Sequence, residues 1–434
     1  MKILVIGSGG REHAIVWALK KTAERPVSIY CAPGNAGIAN IAKVVSIPVS
    51  DHGGLVSFAK SENIDLTFVG PEAPLVAGLV DEFELAGLPI VGPSAAAARL
   101  EGSKVFAKDF MRRHKIPTAP YHTATTAQEA VEYLHRGEFG SAETPIVVKA
   151  DGLAAGKGVI VAKNHAEAEG AINDLMIEHV AGKDAATRVI LEEALEGIEA
   201  SLLLFADGRD YVVMPAARDH KRIGEGDTGP NTGGMGTITD SSVLTDEQLC
   251  QVIDEIVVPT LQGASEEGFP FKGVLFLGLM LTNRGPKLLE YNVRFGDPET
   301  QAILVRLNTD LVAIFEAIQQ GTLSRIKVDW IQGSSACVVA ANKGYPGKYE
   351  SGAVISGCEA AEIEGVQIFH AGTSFSPNGE LLATAGRVLG VTAAANTLQT
   401  ALAACYSSLA KIHWSGMQFR RDIGTTKPAF RTAC

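Results

Sequence analysis

Residues 147–161 read VVKADGLAAGKGVIV and place two lysines around a glycine-rich segment. A Walker A loop has four residues between its first two glycines and a hydroxyl residue after its lysine. Here three residues separate the glycines, and Gly158 follows Lys157. Because an apolar run comes next instead of a helix start, the pattern predicts a β-hairpin with Lys149 ending its first strand. Glycines let such a turn approach phosphate oxygens closely, so we predict a phosphate-binding hairpin, with a plain flexible turn as the alternative.

A second segment, KLLEYNVRF at 287–295, carries three polar side chains in one row. With the period of two that a strand has, Glu290, Asn292 and Arg294 share one face, and the apolar residues from Leu289 onward share the other. A carboxylate and an amide oxygen suit Mg²⁺, and an arginine stabilises charge on a phosphoryl group in transfer. The row predicts a phosphoryl-transfer site, the alternative being a strand with one solvated face.

Residues 188–205, RVILEEALEGIEASLLLF, contain two apolar runs separated by a polar bend. The runs predict two strands. An adenine fits where the first strand ends, because backbone groups of the bend can bond it while an acidic side chain takes the ribose hydroxyls. Glu192, Glu193 and Glu199 are the candidates, although each alone would be interpreted as a solvated surface carboxylate.

The segment HKRIGEGDTGPNTGGMG at 220–236 has six glycines and almost no apolar residues. We predict that it lies outside the core, either as a mobile linker or as a loop that closes over a substrate. Asp219 and the cationic residues that follow it favour the closing loop.

The first hundred residues alternate short apolar runs with helix-like segments. The pattern predicts a parallel α/β sheet facing a ligand crevice, with strands at 2–6, 27–31, 44–49, 64–69 and 88–91. The segment IGSGGREHA (6–14) departs from a dinucleotide fingerprint, because Glu12 stands where its third glycine belongs. A nicotinamide cofactor is therefore disfavoured, which leaves a tight turn or a small anionic ligand bound by Gly9, Gly10 and Arg11.

The composition is that of a globular protein, with 434 residues, 46% of them hydrophobic, and a formal net charge of −11. This length predicts two to four domains. The negative charge disfavours nucleic acids and anionic membranes as partners, so phosphates must be bound by local lysines, backbone N–H groups and a divalent cation. The six cysteines form no CxxC pair, and no apolar run suits a signal sequence or a membrane span. We therefore expect a cytoplasmic protein.

Taken in order, these segments resemble a known family. They are LEGSK (100–104), VVKADGLAAGKGV (147–159), ILEEALEGIEASL (190–202), DHKR (219–222), DTGPNTGGMG (227–236), GVLFLGLML (273–281) and LEYNVRFGDPETQ (289–301). They are similar to the ATP-grasp superfamily and, within it, to the phosphoribosylamine–glycine ligase family of purine biosynthesis. The likeness extends from IGSGGREHA to GRVLGV (386–391) and IHWSGMQFRRDIG (412–424), and so covers essentially the whole chain.

The resemblance implies an activity. ATP would phosphorylate the carboxylate of glycine, and the amine of 5-phosphoribosylamine would displace phosphate, which gives glycinamide ribonucleotide, ADP and phosphate. ATP and Mg²⁺ or Mn²⁺ are the implied cofactors. The enzyme would need only to position reactants and neutralise charge, without a nucleophile of its own.

The resemblance also assigns roles by position. The residues implied to bind ATP are Lys104, Lys149, Gly152, Gly156, Lys157, Gly158, Glu192, Glu193, Leu195 and Glu199. Those implied to bind the two substrates are Gly9, Gly10, Arg11, Asp219, Lys221, Asn231, Thr232, Gly233 and Arg387. Glu290 and Asn292 would bind the metal, and Arg294 and Asp297 would be catalytic. Many ATP-grasp enzymes have a further acidic ligand on the preceding strand, but GVLFLGLMLT (273–282) has none, so the number of metal ions stays open.

The expected fold is a multidomain α/β and α+β protein. A Rossmann-like N-terminal domain is expected at 1–103 and an ATP-grasp body at 104–325, with a mobile lid at about 122–190. A small C-terminal α+β domain is expected at 333–434, with a strand SACVVAA (335–341) and an apolar helix face. The residues of that face are Leu398, Leu402, Cys405, Leu409 and Ile412. We expect a monomer or a weak homodimer.

Three other interpretations are open at this point. The protein could be an ATP-grasp carboxylate–amine ligase with a different acceptor, because the ATP-binding half would be the same. It could be a nucleotide-binding protein without activity, although such a protein has no need of the row at 290–294. An oxidoreductase is disfavoured by the incomplete dinucleotide fingerprint.

Overall fold

The amino-terminal part of the chain forms a sheet of five parallel strands. The structure, a computed structural model, describes residues 1–154, 158–182 and 185–425. The elements of this part are β1 (Lys2–Gly7), α1 (Gly10–Thr22), β2 (Ser28–Pro33), α2 (Ala36–Ala39), β3 (Lys43–Val44), α3 (His52–Glu62), β4 (Leu66–Val69), α4 (Glu72–Val76), α5 (Leu79–Leu85), β5 (Ile90–Val91) and α6 (Ala95–Gly102). The strand order is β3-β2-β1-β4-β5. The predicted parallel α/β sheet is confirmed.

One strand of this sheet is much shorter than predicted. The prediction of a strand at 44–49 is wrong beyond Val44, where β3 ends at the edge of the sheet. The N–H of Val45 still donates to the carbonyl of Cys31 at 2.9 Å. Pro48 has no N–H to continue the ladder, so the apolar run leaves the sheet.

The next part of the chain forms a separate small sheet with its own hydrophobic core. After α7 (Lys104–Arg113), its elements are β6 (Tyr121–Ala124), α8 (Ala127–His135), β7 (Ile146–Ala150), β8 (Val159–Ala162), α9 (His165–Met176) and β9 (Val189–Glu193). The strand order is β6-β9-β7-β8, all antiparallel. The hairpin predicted from 147–161 is confirmed as β7 and β8, in which Lys149 lies opposite Val159. We call this unit the lid sheet.

The body of the molecule is built on long antiparallel strands. Its elements are β10 (Ile198–Asp207), β11 (Tyr211–Val213), β12 (Ala217–Asp219), β13 (Arg222–Gly224), β14 (Thr228–Asn231), β15 (Gly236–Thr239), α10 (Asp246–Val252), a π-helical turn (Ile253–Val257), α11 (Val258–Glu266), β16 (Lys272–Thr282), β17 (Gly285–Asn292), α12 (Glu299–Leu304), α13 (Leu311–Gln320) and a 3₁₀ turn (Leu323–Arg325). Strand β16 pairs with β10 on one side and β17 on the other. The strands predicted on either side of the EEAL bend are confirmed as β9 and β10, and the strand predicted at KLLEYNVRF is confirmed as far as Asn292, so that Arg294 lies just beyond its end.

The glycine-rich segment 220–236 contains the exposed hairpin β13–β14. This hairpin is fastened to the end of the described chain, because the buried Arg420 donates to Asp227 at 2.8 Å and to the carbonyl of Arg222 at 3.0 Å. The prediction that the whole segment lies outside the core is wrong at Met235, which is fully buried. His220 at the start of the segment is buried as well, so both ends of the segment lie inside the molecule and the hairpin between them lies at the surface.

The carboxyl-terminal part extends the sheet of the body. Its elements are β18 (Ser334–Asn342), β19 (Ala353–Val354), α14 (Cys358–Ala361), β20 (Val366–His370), β21 (Thr373–Phe375), β22 (Leu381–Ala383), β23 (Arg387–Ala395), α15 (Leu398–Leu409) and β24 (Met417–Gln418). Strand β15 pairs with β18, so one ten-stranded sheet runs through both parts in the order β17-β16-β10-β12-β15-β18-β23-β20, with β11 and β24 beside it. Helix α15 carries the predicted apolar face, with Cys405 and Leu409 buried.

Membrane insertion by a helix finds no support in this architecture. Over residues 1–154, 158–182 and 185–425, no helix has both the length and the apolar character that crossing a bilayer requires.

Candidate active site

A deep cleft of about 460 Å³ lies where the lid sheet, the body, the first sheet and the carboxyl-terminal part meet. The predicted site residues that line it are Arg11, Lys104, Lys149, Gly158, Glu192, Asp219, Lys221, Thr232, Gly233, Glu290, Asn292, Arg294, Asp297 and Arg387. Segments hundreds of residues apart in sequence thus converge on one space. Gly156 and Lys157 lie outside the described residues.

The row predicted on β17 faces this cleft, but one detail of the prediction is wrong. Glu290 pairs with Gly278 and Leu288 pairs with Leu279, so Leu289 lies between them as a bulge. Leu289 therefore lines the cleft beside Glu290, and Leu288 takes its expected place in the core. Strict alternation missed this shift, because a bulge inserts one residue into the period of two.

The carboxylate of Glu290 is surrounded by cations. Burial raises its pKa, but the ammonium groups of Lys221, Lys149 and Lys104 and the Arg294 guanidinium outweigh burial and hold the pKa below the ordinary value. Glu290 is therefore ionised at neutral pH. A half-buried carboxylate that keeps its charge is a strong ligand for a cation.

Arg294 is fixed by acceptors from several segments. Its guanidinium donates to Glu101 Oε1 at 2.9 Å, to Glu72 Oε2 at 3.1 Å and to Asn292 Oδ1 at 3.0 Å. Glu101 also accepts the N–H of Val293 at 2.7 Å, just after β17 ends. Burial alone would lower the pKa of Arg294, but the carboxylates of Glu101 and Glu72 raise it, so the charge is permanent. Sequence reasoning missed Glu72 and Glu101, although Glu101 lies in the LEGSK segment.

Two lysines of the lid side share one buried carboxylate. Lys149 Nζ lies 3.0 Å from Glu192, and Lys108 Nζ donates to the same carboxylate at 2.9 Å. Burial lowers the pKa of Lys108 to about 8. Lys108 was not predicted, yet it lies four residues after Lys104 on α7, and residues at that spacing share a helix face. Glu192 was predicted to bind the ribose, but in the structure its carboxylate binds these two ammonium groups.

The other predicted nucleotide contacts lie near the cleft without lining it. Glu193 and Glu199 are exposed, Leu195 is half-buried, and Glu199 forms an ion pair with Lys221 at 2.9 Å. Gly152 packs so closely that a Cβ there would lie 2.9 Å from the backbone of Ala185. The described part of the structure thus brings the predicted lysines together in the cleft and leaves Glu193, Leu195 and Glu199 at its margin.

Asp151 ties the hairpin to helix α7 and was not predicted. Its Oδ1 accepts the hydroxyl of Ser103 at 2.7 Å and the N–H of Val105 at 2.9 Å. Lys104 Nζ in turn donates to the carbonyl of Gly152 at 3.2 Å. The start of α7 and the base of the hairpin are therefore held as one unit, which sets the positions of both predicted phosphate-binding lysines.

The opposite end of the cleft is acidic. Burial and the nearby Glu299 carboxylate raise the pKa of Asp219 well above its ordinary value. Burial likewise raises the pKa of Glu299, and Asp297 adds to the effect. Coulombic attraction by Glu199 raises the pKa of Lys221. Of the glycine-rich segment, Thr232 and Gly233 reach the cleft, whereas the predicted Asn231 remains in strand β14 and does not line it.

The glycine loop before α1 approaches this acidic end. Cβ atoms placed on Gly9 and Gly10 would lie 3.5 and 3.8 Å from the carboxylate of Asp297. Glu12 fills the space beneath the loop, and a Cβ at Gly70 would lie 2.1 Å from its Oε1. Its carboxylate accepts the N–H of Gly9 at 2.6 Å. The N–H of Gly9 is therefore already bonded within the protein.

Carboxylates, histidines and cysteines alone do not make a metal site within the described residues. The described segments contain no group of three such residues placed to hold an ion. Glu290 and Asn292 supply a different donor set, with one carboxylate and one amide oxygen beside the lysines. Oxygen donors of this kind fit Mg²⁺ when substrate phosphates complete its coordination.

Comparison with known proteins identifies the family of each segment. The sequence matches the phosphoribosylglycinamide synthetase N domain at residues 1–101, the ATP-grasp (A) domain of that synthetase at 102–300 and its C domain at 335–426. The phosphoribosylamine–glycine ligase of Vibrio parahaemolyticus is 49% identical over 429 residues, which are 98% of each chain. That of Escherichia coli K12 is 47% identical over the same length.

Solved structures give the same picture. The crystal structure of phosphoribosylamine–glycine ligase from Thermotoga maritima aligns with a TM-score of 0.83 and 34% identity, over 97% of this chain and all of that chain. The biotin carboxylase domain of the Hydrogenobacter thermophilus 2-oxoglutarate carboxylase, solved with MgADP and bicarbonate, aligns with a TM-score of 0.70 at 17% identity. The second likeness concerns the fold alone.

Proposed function

The chain belongs to the phosphoribosylglycinamide synthetase family, and on that premise we propose that it ligates glycine to 5-phosphoribosylamine with ATP. The reaction passes through glycyl phosphate and yields glycinamide ribonucleotide, ADP and phosphate. The observation that carries the proposal is the half-buried row Glu290, Asn292 and Arg294, which faces lysines across one cleft. That arrangement serves phosphoryl transfer and has no use in a protein that only binds a nucleotide.

The lid side of the cleft is the ATP-binding side. Lys104 and Lys149 bind phosphate oxygens, and Gly158 at the base of the hairpin lines the same cleft, while the predicted Gly156 and Lys157 lie outside the described residues. The buried carboxylate of Glu192 binds both Lys149 and Lys108 and so fixes their positions. Glu193, Leu195 and Glu199 lie at the margin where the nucleoside would extend, and their contacts with adenine and ribose are part of the proposal.

Glu290 and the amide oxygen of Asn292 would hold Mg²⁺, which would neutralise phosphate charge when bound. Mn²⁺ is the alternative with the same donors. The fixed guanidinium of Arg294 stabilises the charge that develops on the transferred phosphoryl group without having to reorient. Its position depends on Glu101 and Glu72, which are neutralised in turn by Arg294.

The acidic end of the cleft receives the substrates. The ammonium of glycine binds among Asp219, Asp297 and Glu299, because its positive charge offsets the burial and repulsion that raise the pKa values of Asp219 and Glu299. The carboxylate of glycine then points toward the phosphate-binding lysines. A carboxylate oxygen attacks the γ-phosphorus of ATP, and ADP leaves. The amine of 5-phosphoribosylamine then attacks the acyl carbon, phosphate leaves, and the amine loses a proton. Thr232, Gly233, Arg387 and the loop from Gly9 to Arg11 border this end.

A phosphate-release assay tests the function. The purified protein should release phosphate from ATP only when glycine and 5-phosphoribosylamine are both present, and glycinamide ribonucleotide should accumulate in equal amount. Turnover at the same rate with other amino acids or other amines would instead identify a ligase with a different acceptor. The same assay with MgCl₂ replaced by MnCl₂ decides between the two metals.

Several broader expectations are kept as proposals. Domain limits of 1–103, 104–325 and 333–434 are proposed, with a lid at about 122–190. The separate hydrophobic core of the lid sheet supports the lid alone. A cytoplasmic location and a monomer or weak homodimer are the proposed state of the protein. Its proposed partners are small molecules only, without nucleic acids or membranes.

A further inference from the structure

The carboxyl-terminal part reaches the acidic end of the cleft through two side chains. One is Arg387, which was predicted, and the other is Tyr345, which was not. Tyr345 follows β18, and Arg387 is the first residue of β23. Both come from the part of the chain farthest in sequence from the phosphate-binding lysines.

These two side chains hold the peptide groups of Gly233 from both sides. The N–H of Gly233 donates to Tyr345 Oη at 2.9 Å, and the Gly233 carbonyl accepts from Arg387 Nη1 at 2.7 Å. A Cβ at Gly233 would lie 3.0 Å from the guanidinium carbon and 3.3 Å from Oη. Only glycine gives both partners this close approach.

The aromatic ring of Tyr345 has little freedom to move. A Cβ at Gly386 would lie 2.2 Å from its Cδ2, so the ring lies directly on the backbone beside Arg387. The N–H of Tyr345 donates to the carbonyl of Asn342 at 3.1 Å. The hydroxyl is therefore held at one point of the cleft wall.

The hydroxyl still has a proton to donate. Its oxygen accepts from Gly233, and no acceptor for its hydrogen is found among the described residues around it. Arg387 next to it bonds the carbonyl of Asp297 at 2.7 Å and lies 3.3 Å from its carboxylate. A fixed donor without an acceptor, at the wall of a substrate cleft, is suited to an oxygen of the ligand.

We propose that Tyr345 is a specificity-determining residue whose hydroxyl donates to an oxygen of the phosphosugar acceptor while it orders the Thr232–Gly233 turn. The inference rests on the proposed function, in which ATP occupies the lid end and leaves this end to the amine acceptor. Tyr345 thereby links recognition of the acceptor to the position of the Thr232–Gly233 turn.

The test is steady-state kinetics of Tyr345→Phe, which keeps the ring and removes the hydroxyl. We expect the KM for 5-phosphoribosylamine to rise about tenfold, which is the usual effect of losing one hydrogen bond to a ligand. The KM values for ATP and glycine should stay within about twofold. Ribose 5-phosphate, which lacks the amine, should inhibit the variant with a similarly weakened Ki. Tyr349→Phe is the matched control, because that tyrosine is exposed and lies outside the cleft.

An unchanged KM for the acceptor in Tyr345→Phe would overturn the inference. So would a parallel change in all three KM values with a lowered Tm, because that pattern belongs to a hydroxyl that only supports the fold. If the wild-type protein itself fails to use glycine and 5-phosphoribosylamine, the proposed function falls and the inference with it. Wild-type turnover with an unaltered variant refutes the inference alone.

Discussion

Replacing Glu192 by glutamine would remove the one carboxylate that lies between Lys108 and Lys149. Both ammonium groups lie within 3.0 Å of it, and all three side chains are buried. At an effective dielectric constant of 20, each contact is worth about 6 kcal/mol before the desolvation of the carboxylate is subtracted. Removing one partner of a buried pair costs about 3–5 kcal/mol, because an uncompensated charge is left behind. We expect a loss of that size in Glu192→Gln.

The pH dependence of this loss follows from Lys108. Its pKa in the folded protein is about 8, below the ordinary 10.5, so the folded state binds fewer protons between these values. Wild-type stability from this group therefore rises with pH from about 8 to 10.5. Without Glu192 the pKa of Lys108 falls further, and the variant escapes part of the penalty by losing the proton. The difference between variant and wild type should be largest at low pH, should shrink as the pH rises toward 8, and should be smallest above pH 8.

Urea unfolding at pH 7 and pH 9.5, followed by circular dichroism, measures both effects. At pH 7 the midpoint of Glu192→Gln should lie about 1 M or more below wild type. Glu193→Gln is the control, because the neighbouring carboxylate is exposed. A midpoint within experimental error of wild type at pH 7, or a difference that does not shrink at pH 9.5, would refute the reasoning.

Three further predictions follow from single contacts. Glu290→Gln should lower ligation by at least about a hundredfold with an unchanged circular dichroism spectrum, because the amide cannot supply the negative charge on which the metal and the lysines depend; near-normal turnover would contradict the role. Gly70→Ala should destabilise the protein by about 2 kcal/mol or more, because its Cβ would lie 2.1 Å from Glu12 Oε1. Gly53→Ala is the control, because a Cβ there has open space, and it should leave the Tm unchanged in the same thermal melts. Burial lowers the pKa of His13 to about 3 and of His370 to about 4, so the Tm should fall as the pH drops from 6.5 to 4. His13→Gln keeps an acceptor for the backbone N–H of His370 and should make that fall less steep. An equally steep fall of Tm in the variant would exclude His13 as its cause.

Much of the fold could be predicted because the deciding signals are local. The hairpin at Lys149 is set by two apolar runs and the glycines between them, and both are visible within 15 residues. The common face of Glu290 and Asn292 follows from the strand period, and Arg294 lies just beyond the end of β17 at the same cleft. The parallel sheet follows from the spacing of apolar runs, and the one strand that failed did so where Pro48 stops the ladder.

The contacts that complete the site could not be predicted, because they join distant segments. Glu72 and Glu101 contact Arg294 from about 200 residues away in sequence, and the residues around Arg294 do not indicate which carboxylates it binds. Tyr345 lies in no recognised motif, and only the structure shows that its hydroxyl contacts Gly233 at the cleft. Lys108 was within reach, since Lys104 and Lys108 share a helix face. The bulge at Leu289 arises from the pairing of β17 with β16, and the sequence around Leu289 gives no signal of it.

The hydrogen bonds between β15 and β18 have a consequence for how this protein can be divided. Four residue pairs join Gly236–Thr239 to the strand at 334–342, and they are backbone contacts inside a continuous sheet. A gene truncated after residue 325 would encode a product whose Gly236–Thr239 edge is bare, and an unprotected edge is a template for intermolecular association. The two pieces should therefore be produced as one polypeptide or co-expressed, and a fusion partner belongs at either terminus, away from this seam.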